Sequence, residues 1–315
     1  MPTGRRGSIG WGEEATWGTA VAPTFFVHAT ESIEEERGRL REDMVFGTRS
    51  RQAADPGRLR ISGAVNGIHA RPAGVGHLLA AAIAPPATTG TDPFTHVYTP
   101  TVTNFSTEAA LAPYSVTVKR KPGMVHRYSG GQLSRLALRQ PRDDALVLDS
   151  DWMFKGSSAV SDVTMVLEDA VRFRYRHLSV QRIASPFNFV EDLTITLENG
   201  LESEETLNQS DEISAVEFGA NSNIEVEMTL TFRDEDTYND FRNNAVQAWE
   251  FDWEIDADNK LTIAIPRLNI ERWSAPISAP GRMTVRVGGV AEFDDDAGHE
   301  LQATLVNAVS GYHAA

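Results

Sequence analysis

Asn223-Ile-Glu-Val-Glu-Met-Thr-Leu-Thr-Phe232 alternates apolar and polar side chains without a break. A period of two puts Ile224, Val226, Met228, Leu230 and Phe232 on one face of a strand and Glu225, Glu227, Thr229 and Thr231 on the other. The stretch runs into a helix-like segment, Asp234 to Val246, in which Tyr238, Phe241 and Ala245 form a stripe and Asp234 is placed to cap the start. The same succession stands earlier in the chain. Arg58 to Ile68 reads as strand and Pro72 to Ala84 as helix, beginning 165 and 162 residues before their counterparts. A strand-like segment also precedes each pair, Phe26 to Ile33 and Leu193 to Leu197. Similarity at a fixed displacement marks a duplicated unit. The expected fold is mainly β: two tandem β-sandwich or barrel modules, each with a flanking α-helix, over residues 24–157 and 158–315.

Further strands show the same periodicity. Leu59, Ile61 and Val65 alternate with Arg58 and Arg60. Val171, Phe173 and Tyr175 alternate with Arg172, Arg174 and Arg176, and Trp249, Phe251, Trp253 and Ile255 with Glu250, Asp252, Glu254 and Asp256. Pro266 inside the apolar run Leu261 to Ile270 predicts a bulge or an edge. Residues 1–23, rich in Gly, Thr and Ala, read as an extended N-terminal arm whose Trp11 and Trp17 need a surface to dock on. Two polar connections, Glu34 to Gly57 and Asn199 to Ala215, occupy equivalent places in the two halves, and connections of this length are often functional.

A chain of 315 residues suits two domains and is long enough to bury ordinary cores. It has no cysteine, which excludes disulfides and thiolate metal sites. Met1 to Gly10 has no apolar core after Arg5 and Arg6, unlike a secretory signal. The longest apolar run, Val75 to Ala84, is too short to span a bilayer, so a soluble protein without a membrane partner is expected. The net charge of −15 is uneven: 18 basic and 15 acidic residues in 1–155, against 11 and 29 in 156–315. An acidic chain does not grip phosphates.

Tests for chemistry come out negative. Gly74-Val-Gly76 lacks the third glycine and the βαβ context of a dinucleotide loop, and reads as a close approach of helix and strand. Asp234, Asp236 and Asn239 lack the turn glycine and terminal Glu of a calcium loop. No histidine pair has zinc-helix spacing, no serine sits in a nucleophile elbow, and His77 and His177 read as structural. No catalytic, cofactor-binding or metal residue is assigned. The acids on strand faces carry more: Glu225, Glu227, Glu250, Asp252 and Glu254 fit either an ordinary solvated face or the wall of a channel that must not hold a polyanion.

Gly10-Trp-Gly-Glu-Glu-Ala-Thr-Trp-Gly-Thr-Ala-Val-Ala-Pro-Thr24 resembles the opening of tail tube (major tail) proteins of long-tailed bacteriophages. The resemblance continues through Phe46-Gly-Thr-Arg49, Gly63-Ala-Val-Asn-Gly67, Gly76-His-Leu-Leu-Ala80, Tyr128-Ser-Gly-Gly131 with Leu133 to Leu138, and Leu305-Val-Asn307 with Tyr312. It implies a non-enzymatic virion protein, made in the bacterial host cytoplasm and resident in the tail, whose domains form stacked rings closed into an inner β-barrel for DNA ejection. Its partners would be itself, other tail proteins at the tube ends, and phage DNA in transit. Three copies with two modules each would complete a pseudo-hexameric ring; six copies with one tube module and one extra domain are the alternative. Arg49 and Arg51 in the first long connection, and Glu202, Glu204, Glu205 and Asp211 in the second, are the candidate contacts between rings. The competing readings are another β-rich virion or secreted assembly or adhesin module, and a carboxylate-dependent hydrolase.

Overall fold

The computed structural model describes residues 7–41, 53–100, 111–164, 166–207, 209–277 and 282–312. The chain opens with strands β1 (Ser8–Glu13), β2 (Phe25–Val27), β3 (Thr30–Glu31), β4 (Glu34–Leu40) and β5 (Asp55–His69), followed by helix α1 (Pro72–Ala82). Next come β6 (Ala87–Gly90), β7 (Phe94–Tyr98), β8 (Tyr114–Lys121), β9 (Met124–Gln140), β10 (Val147–Phe154) and β11 (Gly156–Val160). After a 3-10 turn at Tyr175–His177 follow β12 (Leu178–Arg182), β13 (Ser185–Pro186), β14 (Val190–Glu198), β15 (Leu201–Glu204), β16 (Ala215–Phe218) and β17 (Asn223–Thr231). Helix α2 (Asp236–Asn243) leads into β18 (Val246–Asp256), β19 (Asn259–Ser274), β20 (Thr284–Ala291) and β21 (Gln302–Asn307).

The fold is mainly β. Among the described residues all strands but β15 and β16, which pair with each other, belong to one continuous sheet that does not close into a barrel. In the first half β4 pairs with β5, β5 with β10, β10 with β9, β9 with β8, β8 with β1 and β1 with β2, all antiparallel. In the second half β14 pairs with β17, β17 with β20, β20 with β19, β19 with β18, β18 with β12 and β12 with β13, again antiparallel. Both successions carry a bulge at the same point: Ser134 of β9 has no partner opposite β10, and Glu271 of β19 has none opposite β20. The halves are joined edge to edge, β9 to β14, and again where β21 pairs with β7. The expected boundary at residue 157 falls inside β11.

The long strands β9 and β19 each serve two layers. The start of β9 lies between β8 and β11, and its end between β10 and β14. Large aromatics fill the space enclosed: Tyr114, Trp152 and Phe154 in the first half, Trp249, Phe251 and Trp253 in the second, all almost fully buried. Each such ring removes some 150–250 Å² from water.

Helix α1 is buried nearly all round. Its glycines make the fit possible. A Cβ on Gly74 would stand 2.2 Å from the Phe25 ring, and one on Gly76 2.2 Å from the Tyr312 ring. Tyr312 is fixed there by donating its hydroxyl to the Ala73 carbonyl at 2.8 Å. Gly76→Ala is therefore expected to destabilise the chain by about 1–3 kcal/mol, as overpacking does, although alanine in an open helix would stabilise by ~1 kcal/mol. Urea titration of the variant decides the sign; an unchanged or raised midpoint would mean that Tyr312 yields without cost.

Several expectations are corrected. Ser8–Glu13 is a sheet strand between β2 and β8 rather than part of an extended arm, and Trp11 lies in the core. Both polar connections contain strands, β4 in one and β15 in the other, whose last residue, Ala215, begins β16, the partner of β15. Val171 to Tyr175 is not a strand: Phe173 is wedged irregularly, its N–H donating to Ala70 and its carbonyl accepting from Leu146. Helix α2 begins at Asp236, with Asp234 accepting from the Asp236 N–H in a turn before it, and ends on left-handed Asn244. Pro266 sits where β19 slips register against β18.

Candidate assembly surface

Eight strands follow one another in a single ladder: β4, β5, β10, β9, β14, β17, β20 and β19. From β5 onward one face of this ladder is apolar and covers the core, whereas β4 is exposed along its length. The other face is polar because period-two alternation leaves it so. On it, Arg135 of β9 lies 3.4 Å from Asp151 of β10 and 3.7 Å from Glu198 of β14. Arg139 pairs with Asp149 at 2.5 Å. Arg272 of β19 lies 3.5 Å from Glu225 and 3.1 Å from Glu227, both on β17. Gly288 of β20 makes room for that guanidinium, since a Cβ there would meet its Nε at 2.8 Å. The exposed pairs, those of Arg135 and Arg272, add ~0–1 kcal/mol each. Their arrangement sets the charge of the surface: Arg135 and Arg272 are each set between two acids.

The sequence-predicted acids do not form one group. Glu225 and Glu227 belong to the ladder face. Glu250, Asp252 and Glu254 lie on β18, which pairs with β12 and β19 and stands outside the ladder. Asp252 is buried, accepting from the Thr262 hydroxyl at 2.7 Å and the Lys260 ammonium at 2.9 Å. A buried carboxylate needs such partners, so this residue is structural. Glu254 shares Lys260, and Glu250 accepts from Gln181.

Arg49 and Arg51 lie outside the described residues. Of their proposed counterparts, Glu205 and Asp211 are taken up within the chain. Glu205 accepts from Arg60 at 2.8 Å, and that hydrogen bond holds its carboxyl below the ordinary range. Asp211 pairs with Arg37 at 2.7 Å, and its carbonyl accepts from the Leu59 N–H. These contacts lay the loop of the β15–β16 hairpin across β4 and β5. Glu202 and Glu204 remain on the hairpin itself.

Near the N-terminus, the Trp17 indole donates to the Gly130 carbonyl at 3.0 Å, and the Lys155 ammonium lies 4.6 Å from the ring centre. Glu14, which sequence reading passed over, is the centre of this turn. Its buried carboxylate accepts from the N–H groups of Gly18 and Gly130 and from the Ser115 hydroxyl. The ladder arginines were also missed. Their signal was available in β9, where Arg135 and Arg139 alternate with Leu136 and Leu138.

Three histidines are held in structural contacts. His177 accepts from the Arg174 N–H through Nδ1, and His96 joins Thr88, Asn307 and Val309. His77 packs among Phe25, Tyr114 and Tyr312. Among the described residues no three His, Asp or Glu side chains are grouped to hold a metal, and no helix is long and apolar enough to cross a membrane. Among the described residues the surface offers open strand edges at β4 and at the end of β19, and a charged sheet face. A family model described as phage tail tube protein matches residues 4–294. No curated protein sequence matches the chain.

Proposed function

The chain belongs to the phage tail tube protein family, and we propose that three copies of it, each supplying two tube modules, close into a pseudo-hexameric ring and that such rings stack into the tail tube. The observation that carries this reading is the repeated succession of strand pairings, bulge included, in the two halves. A module that recurs and is already joined edge to edge to its twin is suited to continue the same join around an axis. The ladder of eight strands ends in two edges, β4 and β19, and sheet edges are adhesive until paired. A closed ring pairs every edge.

Three ladders of eight strands, at ~4.8 Å spacing and with the strand tilt usual for barrels, give a cylinder about 45–50 Å across between backbones, with room for a DNA duplex. The charged ladder face would line it. DNA carries one charge per ~1.7 Å, and a wall in which arginines are held by acids offers few free cations to it. Repulsion by the surplus acids acts within ~8 Å at physiological salt. The protein then works as a passive conduit, without turnover, in a virion tail assembled in the host cytoplasm with other tail proteins at the tube ends. The hairpins β4–β5 and β15–β16 extend from equivalent strands, and Arg49, Arg51, Glu202 and Glu204 are assigned to contacts between rings.

Negative-stain microscopy and native mass spectrometry of the purified chain test this. Rings or filaments with a repeat of three 34.6-kDa copies are expected. A repeat of six would favour the one-module alternative, and a monomer at high concentration with no annular particles would overturn the reading.

A further inference from the structure

The join between the two halves of one chain is a template for the join between chains. We infer that the outer edge of β3–β4 in one copy pairs antiparallel with the end of β19 in the next, in a register that sets Glu36 opposite Arg272 and Glu34 opposite Ser274. This rests on the ring reading above and adds to it which edges meet and how.

The register follows from the repeat. The unpaired bulge residues Ser134 and Glu271 stand 137 positions apart. So do Ser150 and Val287, which face Val65 of β5 and Met228 of β17. Across from Val65 lies Glu31 of β3, and across from Met228 lies Leu193 of β14. Thus β9 corresponds to β19 with a displacement of 137, and β3–β4 to β14 with a displacement of 162. Within the chain β14 lies on the end of β9, with Glu198 opposite Arg135 and Thr196 opposite Ala137. Moving each strand to its counterpart gives the stated pairs.

Both edges are free to make the contact. Every residue of β4 is exposed, and among the described residues β3 and β4 pair only with β5. Past Asn269 the β18 side of β19 has no partner among the described residues. Helix α2 lies over β19, with Tyr238 against Trp273, as α1 lies over β9.

Charge favours this occupant over others. Glu34, Glu35 and Glu36 are three acids in a row, so two β4 edges meeting each other would set like charges face to face, which is destabilising. Against β19, Glu36 meets Arg272, in the way that Glu198 lies 3.7 Å from Arg135 inside the chain. The next rung agrees: the Asn199 N–H donates to the Ser134 carbonyl at 2.9 Å, and its counterpart sets Arg37 beside Glu271. The contact is heterologous, head to tail, and such contacts close when the rotation permits.

The chain has no cysteine, so the register can be read by crosslinking. In the full chain carrying Glu34→Cys and Ser274→Cys, oxidation of assembled rings is expected to give a covalent ladder that ends at three copies and collapses on reduction. The counterpart Thr196→Cys with Ala137→Cys should close within one chain, because facing residues of an antiparallel pair sit 4.5–5.5 Å apart, inside the disulfide range. As a second measurement, Glu36→Arg or Arg272→Glu alone should lower ring yield at least tenfold, and the two together should restore it. If rings form but the intermolecular pair stays unlinked while the in-chain pair closes, this register is wrong and the ring reading stands. A wild-type chain that forms no rings overturns both.

Discussion

Glu14→Ala is expected to lose about 3–5 kcal/mol of stability. The carboxylate is 2 % exposed and accepts from Gly18 N at 2.7 Å, Gly130 N at 2.9 Å and Ser115 Oγ at 2.5 Å. Alanine would leave three donors without a partner, at ~1–3 kcal/mol for each one kept from water. Two of those donors belong to glycines with positive φ, +80° at Gly18 and +64° at Gly130, so the turn has little freedom to find new acceptors. Gly130 also receives the Trp17 indole on its carbonyl. Glu14→Gln keeps the shape and one acceptor oxygen, and should fall between. Equilibrium denaturation with an unchanged m-value gives the comparison. If the alanine variant stays within 1 kcal/mol of the parent, the turn is not held by this side chain.

Acid is expected to weaken the fold through His77. Its ring is enclosed by Phe25, Tyr114 and Tyr312, and its Nδ1 is buried without a partner among the described residues. Dehydration of the charged form lowers its pKa from 6.5 to about 4. Between these values the unfolded chain binds a proton that the folded chain refuses, so stability falls as pH falls. The contribution is whole above pH 6.5 and is lost on the way down to about pH 4. With 1.36 kcal/mol for each pKa unit, it reaches about 3 kcal/mol. The His77→Leu variant should show a shallower fall in denaturation midpoint between pH 6.5 and pH 4. A residual slope is expected from His69, His96 and His177, whose pKa values burial also lowers. Equal slopes in parent and variant would remove His77 from the account.

The strands with one buried and one wet face were legible. Asn223 to Phe232 and Trp249 to Ile255 announce themselves by period, and α1 by its stripe between two prolines. Strand β4 was not legible, because Glu34–Leu40 buries no side chain and so has no alternation to read. Phe173 misled for the opposite reason: alternating neighbours imitate a strand in a segment whose backbone bonds only at isolated points. On the surface, Glu225 and Glu227 were legible as a pair on one face. Their partner Arg272 stands 45 residues beyond Glu227, and only the register of β17, β20 and β19 brings it there. The difference between Asp252 and its neighbours on β18 is likewise set by which residues lie across from it, Thr262 above all.

One tie described above bears on timing. Strand β21 supplies the outer neighbour of β7, while Asn307 and Tyr312 donate to the carbonyls of Pro72 and Ala73, 235 and 239 positions away in sequence. During synthesis, the early half waits for residues 302–312 before its helix is covered and its sheet completed. A nascent chain therefore keeps α1 and the edge of β7 uncovered until those residues have emerged.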